Sequence, residues 1–117
     1  MIKQMLDEKA DFQKYLYDKG FLITTNKHID VLSFPFYGNY DIKEFGSYCF
    51  YVHKRNRAYF FTEKGRCFFL IGHALNPYTD EHDENEILSR IATRYAEGKF
   101  YDAIDELTGI FILGLVD

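Results

Sequence analysis

The residues with chemistry to offer are concentrated in "IGHALNPYTDEHDENE", Ile71 to Glu86, where two histidines stand among four acidic side chains before Glu86. Zinc sites are built from His, Cys and carboxylate ligands at short, regular spacings. Here His73 and His82 are nine residues apart with Pro77 between them, and that spacing does not match, so His73 reads as a hydrogen-bonded histidine at a strand end. The acidic residues Asp80, Glu81, Asp83 and Glu84 precede an apolar rhythm, and a helix N-terminus favours carboxylates through its macrodipole without any metal. Cys49 and Cys67 have no C-x-x-C or His/Cys ligand spacing and read as reduced strand residues. Asp102 and Glu106 share a helix face, an ordinary arrangement for a solvated surface. No nucleophile elbow, phosphate loop or dinucleotide fingerprint occurs. These residues call for no metal and no cofactor.

The elements that position these residues must come from 117 residues, enough for a single domain with one modest core. A 47% apolar content with a mean hydropathy of −0.30 reads as globular. The longest apolar run, Ile110 to Val116, is far short of the roughly 20 residues that span a bilayer. The opening "MIKQMLDEKADFQKYLYDKG" alternates charged and apolar residues where a secretory signal would place an apolar block, which argues for the cytoplasm. A net charge of −4 with both signs interspersed gives no footprint for a nucleic-acid backbone. The basic cluster "HKRNR", His53 to Arg57, reads as a solvated hairpin turn.

Ten Tyr and twelve Phe, most of them between Tyr15 and Phe69, favour a pleated, half-buried sheet there. Residues 3–19 have helical spacing and stop at Gly20. The stretch from Phe21 to Gly46 should hold one or two short strands and a long connection. "SYCFYVH", "RAYFFTE" and "RCFFLIGHA", separated by "KRN" and "KG", suit an antiparallel meander. The middle of "CFFLI" is apolar on both faces and predicts a central strand. Ile87, Leu88, Ile91 and Tyr95 predict a helix, and Phe100, Ala103, Ile104 and Leu107 a second one ended by Gly109. "IFILGLV" predicts a buried final strand, and Gly114 inside it a close approach by another backbone.

The order strand, "NP" turn, acidic-capped helix, glycine, short helix and strand ending in Asp117 resembles the glutamine-hydrolysing domain of asparagine synthetases. The likeness covers residues 68–117, strongest at "AIDELTGIFILGLVD" with "IGHALNP" upstream; the first half of the chain carries none of the family's motifs. That family of class II glutamine amidotransferases has the N-terminal nucleophile hydrolase fold. The resemblance therefore implies an α+β architecture of packed antiparallel sheets with flanking helices, or a partial version of it. The family's reaction uses an N-terminal Cys whose α-amino group, with a pKa near roughly 7.7–8.0, serves as base. Position 2 is Ile2, and the internal amides of Cys49 and Cys67 cannot act as bases. The family's oxyanion pair is Asn-Gly; the matching positions are Ile71 and Gly72, where only the Gly72 amide could donate. The family's substrate-gripping aspartate corresponds to Asp83 or Glu84, which helix capping explains equally well, and no arginine motif stands beside them.

The resulting expectation is a catalytically silent, amidotransferase-like domain with no catalytic residue. Its vestigial oxyanion and substrate region would comprise Gly72, His73, Asn76, Asp83 and Glu84. Its role would be structural or docking, beside an ATP-dependent synthetase-type partner. An uncovered apolar edge around "GIFILGLV" predicts a homodimer. The competing expectation is a small aromatic-rich α+β domain that binds a ligand or peptide through exposed Tyr and Phe side chains.

Overall fold

The computed structural model describes residues 19–26 and 39–117, and the helix expected over residues 3–19 falls almost wholly outside them. The architecture is α+β. Two three-stranded antiparallel sheets occur in two compact units, residues 1–56 and 57–117. None of the described helices is long and apolar enough to cross a membrane.

The first unit contains strands β1 (Phe21–Thr24), β2 (Tyr40–Phe45) and β3 (Tyr48–His53), with β3 in the middle. β2 and β3 form a hairpin in which Phe45 pairs with Tyr48 across Gly46–Ser47. Gly46 has φ +56°, the conformation that glycine supplies at the first position of a tight hairpin turn. Cys49 to His53 are all buried. The buried His53 ring is held on two sides: its Nδ1 accepts from the Arg55 amide at 3.0 Å, and Tyr40 meets it edge-on at 5.3 Å.

The second unit contains β4 (Ala58–Glu63), β5 (Arg66–Leu75), helices α1 (Glu84–Ala96) and α2 (Phe100–Asp105), and β6 (Thr108–Val116), in sheet order β4-β5-β6. Lys64 (φ +51°) and Gly65 (φ +76°) turn β4 into β5 with positive φ at both central positions, as a type I′ hairpin requires. The expected three-strand meander is therefore cut in two. Its first run is the middle strand of one sheet, and its other two runs lie in the other sheet. The "HKRNR" segment joins these sheets rather than closing a hairpin, with a turn sealed by the Asn56 amide on the His53 carbonyl.

Register sets the core of this unit. Tyr59–Leu70–Leu113 and Phe61–Phe68–Leu115 line up across three strands, so one face of the sheet is apolar from edge to edge. Against it α1 presents Ile87, Leu88, Ile91 and Ala92, and α2 presents Ala103. Phe68, Tyr95 and Phe100 join β5, α1 and α2, with the Tyr95 and Phe100 rings perpendicular at 5.8 Å. α1 ends as expected before Gly98 (φ +75°). The Gly98 amide bonds to the Tyr95 carbonyl and the Lys99 amide to that of Arg94, a pairing that satisfies the last carbonyls of the helix.

β5 is central and buried from Cys67 to Ile71, as its apolar run predicted. The final strand is not the buried one its apolar run predicted: β6 lies at the edge, in keeping with the uncovered apolar edge expected there, and Ile110 is 89% exposed. Apolar composition could not separate an edge strand from an enclosed one, because both read as the same run of Ile, Leu and Val. The short helix also stops at Asp105, so Gly109 belongs to the strand.

The close backbone approach expected at Gly114 occurs elsewhere. A Cβ at Gly114 would meet the Phe69 ring, a side chain on the facing strand, at 2.3 Å. Gly72 and Gly109 instead have φ of +114° and +134°, and a Cβ on either would sit 2.2–2.3 Å from a carbonyl oxygen of the paired strand. We expect Gly109→Ala to destabilise the fold by more than about 2 kcal/mol, since both its φ and the rigid neighbouring backbone exclude a side chain. Gly46→Ala, with open space around it, should cost about 1 kcal/mol. Urea unfolding of the two variants measures the difference.

Candidate functional site

The residues nominated for chemistry lie at the end of β5, in the loop after it, and at the start of α1. Gly72 occupies a strand position whose amide donates to the Arg57 carbonyl at 2.9 Å. The donor that a vestigial oxyanion hole would use is thus engaged in the backbone. The adjoining Ile71 side chain is buried in the sheet.

His73 is paired with Ile110 on β6 and is mostly exposed, with its Nδ1 3.4 Å from Glu84 Oε1. Two of the nominated residues, His73 and Glu84, are therefore neighbours. His82 has a separate partner, the Asp80 carbonyl, at 3.2 Å. Among the described residues no three His, Cys, Asp or Glu side chains converge where they could hold a metal ion.

Asp83 is the N-cap of α1. Its backbone is extended, its Oδ1 accepts from the Asn85 amide at 2.9 Å, and its carbonyl accepts from the Ile87 amide. Glu84 and Glu86 complete an acidic first turn, where the helix dipole favours them. Sequence pattern and structure agree here because capping is local: the donor is two residues from the acceptor.

Asn76 has the most elaborate surroundings. It is almost fully buried, and its amide donates to the Glu81 carbonyl at 2.7 Å. Its Oδ1 accepts from the Tyr78 amide at 2.9 Å, and its Nδ2 donates to Glu106 Oε2 at 3.2 Å. Pro77 favours the turn, and Asp80 takes φ +60°, which Asp tolerates better than most residues. Arg90 on α1 then spans the assembly. Its guanidinium lies 3.5 Å from Glu106 Oε2, 3.4 Å from Thr79 Oγ1 and 3.7 Å from Glu81 Oε1. The last separation is too long for a hydrogen bond, and this buried Glu81 oxygen has none; Arg90 neutralises it electrostatically.

Sequence reasoning missed Arg90, read Glu81 only as a helix-terminus acid, and misread Glu106, which it grouped with Asp102 as a solvated pair. Asp102 is exposed, but Glu106 caps the end of α2 and turns toward the loop. Asn76 and Glu106 are 30 positions apart, so no spacing rule links them. Only the "NP" turn marked one end of the contact.

No protein-family model matches the chain, and neither any curated protein nor any solved structure gives a significant match. The arrangement clamps a loop between two helices and leaves His73 exposed beside the largely covered Glu84.

Removing the clamp and removing the His73–Glu84 contact should have different consequences. Asn76→Ala leaves the Tyr78 amide without its acceptor and removes one partner of Glu106 at a part-buried site, and we expect a loss of about 1–2 kcal/mol in chemical denaturation. His73→Ala breaks a pair whose histidine is mostly exposed and whose Glu84 partner is largely covered, and should change stability by less than about 1 kcal/mol.

Proposed function

We propose that this chain is a catalytically silent, amidotransferase-like scaffold that acts by docking beside an ATP-dependent synthetase-type partner. The observation that carries the silent half is the Gly72 amide, the one donor left at the matched oxyanion positions, bonded to the Arg57 carbonyl. An oxyanion hole works through donors held free for a charge that develops during reaction. A donor already committed to a strand contact cannot serve in that way.

Three further features support the reading. Cys49 and Cys67 form no disulfide with each other, and both are buried, which removes them as accessible nucleophiles. Asp83 is spent on the cap of α1, and Asn76 on the loop clamp. The docking half is supported by the surface, where β6 leaves exposed apolar side chains at a sheet edge. The synthetase-type nature of the partner follows from the resemblance over residues 68–117 alone.

The aromatic distribution favours a scaffold over a ligand-binding domain. Phe50, Tyr51, Phe68 and Phe69 are buried, whereas the strongly exposed Tyr78 and Tyr101 sit on a loop and on a helix. Among the described residues, Tyr59, Phe61, Tyr95, Phe100 and Phe111 are partly buried and pack against the core. A recognition surface would need those rings at the exterior.

The test is direct. Purified protein should release no ammonia from glutamine or asparagine above a buffer control. An electrophilic glutamine analogue should leave Cys49 and Cys67 unmodified by mass spectrometry until denaturant exposes them. Turnover that disappears on changing one polar residue would reassign the chain as a hydrolase.

A further inference from the structure

The described sheets have four edges, and they are not equivalent. β1 is only four residues long. β2 carries Asp41, Lys43 and Glu44, and charges along an edge discourage pairing. β4 is half-buried over its first four residues and ends in Glu63. β6 has nine residues from Thr108 to Val116 with no charge and no proline. Its exposure is concentrated at Thr108–Ile110 and Ile112, and Ile110 is the most exposed large apolar residue described. An edge with these properties is a template for another strand.

We propose that β6 pairs antiparallel with β6 of a second copy of this chain, about a two-fold axis at Ile110. Antiparallel pairing of an edge with itself is isologous: one strand supplies both halves of the ladder, and no second complementary surface is needed. Charge along the strand permits this occupant. A net charge of −4 on each copy opposes association in general, so two copies can meet only in a register that keeps their carboxylates apart. Centring the pair on Ile110 sets Thr108 opposite Ile112 and Gly109 opposite Phe111, all uncharged. The flanking Glu106 then faces the uncharged Gly114 of the other copy, and Asp117 lies beyond the paired stretch. A partner strand with its own charges would find no counter-charge along this edge. The two sheets would merge into one of six strands, with Ile110 against its own copy at the centre.

The inference rests on the exposed strand that supports the docking reading and gives that strand to a second copy, so a synthetase-type partner would meet the dimer rather than the bare edge; the silent reading and the dimer fail separately. Glutamine turnover would end the silent scaffold and leave the dimer untouched. A monomer would end the dimer and leave the silence standing.

The experiment is the mass in solution of the full chain by light scattering after size exclusion, with two variants. The native protein should be a dimer at about 100 µM, and Ile110→Glu, which sets two like charges face to face, should weaken it by about a hundredfold or more. Because Ile110 is so exposed, circular dichroism of that variant should match the native protein. Opposed residues in an antiparallel pair have Cα atoms about 4.5–5.5 Å apart, within the range a disulfide bridges. Oxidised Ile110→Cys should therefore give a covalent dimer linked through position 110, whereas Tyr101→Cys, similarly exposed on α2, should not. A monomeric native protein overturns the proposal and leaves β6 to a different chain. A dimer that survives Ile110→Glu, or that fails to cross-link through position 110, overturns it as well.

Discussion

The structure of residues 57–117 depends on covering β5. Ten residues long and apolar on both faces, this strand is costly to expose, and the elements around it are arranged to remove it from water. Its neighbours β4 and β6 satisfy its backbone and extend its Phe68–Leu70 face into Tyr59, Phe61, Leu113 and Leu115. That apolar face in turn needs a lid. α1 supplies it with Ile87, Leu88, Ile91 and Ala92, and burial of each large side chain contributes about 1.5–3 kcal/mol. A slip of one residue in the β5–β6 register would turn Phe111, Leu113 and Leu115 away from the helices, so the same hydrophobic pattern that drives burial also fixes the pairing.

The glycines show how tightly that pairing is drawn. Gly72 on β5 and Gly109 on β6 each approach a carbonyl of the opposite strand more closely than any Cβ permits. They lie near the His73–Ile110 pair, where the sheet ends and the chain leaves for the loop. Gly114 serves a different purpose, as bare backbone beneath the Phe69 ring. A glycine in an apolar run signals that something comes close. Whether the neighbour is a carbonyl or an aromatic ring depends on register, which a single strand does not contain.

This distinction separates what was legible in the sequence from what was not. Helix α1, its Asp83 cap, the glycine after it, the "KG" hairpin and the central place of β5 are written in local spacing, and local interactions carry them. The division of the strands between two sheets was not legible, because "HKRNR" has the composition of a hairpin turn while its neighbours find partners elsewhere. For β6 the apolar run read as a buried strand, and only the resemblance pointed to an uncovered edge there. In the candidate site, Asp83 could be read from its neighbours, whereas the Asn76–Glu106–Arg90 contacts join three elements and appear only when the chain is folded.

Polar residues beside a buried strand need partners, and this requirement limits what they can do chemically. Asn76 is almost fully buried, so its amide group must be satisfied in the resting fold, and Tyr78 and Glu106 satisfy it. Glu106 and Glu81 would repel one another near the loop; Arg90, close to both, makes the cluster tolerable. Each contact that stabilises the loop also removes a donor or acceptor that a substrate would need. The groups that remain available are on the outside. His73 stands mostly exposed at the strand end beside Glu84, and β6 carries Ile110 directly across from it. Chemical capacity and structural necessity thus compete for the same residues. In the loop necessity has taken them, and exposed apolar side chains remain at the β6 edge of the sheet.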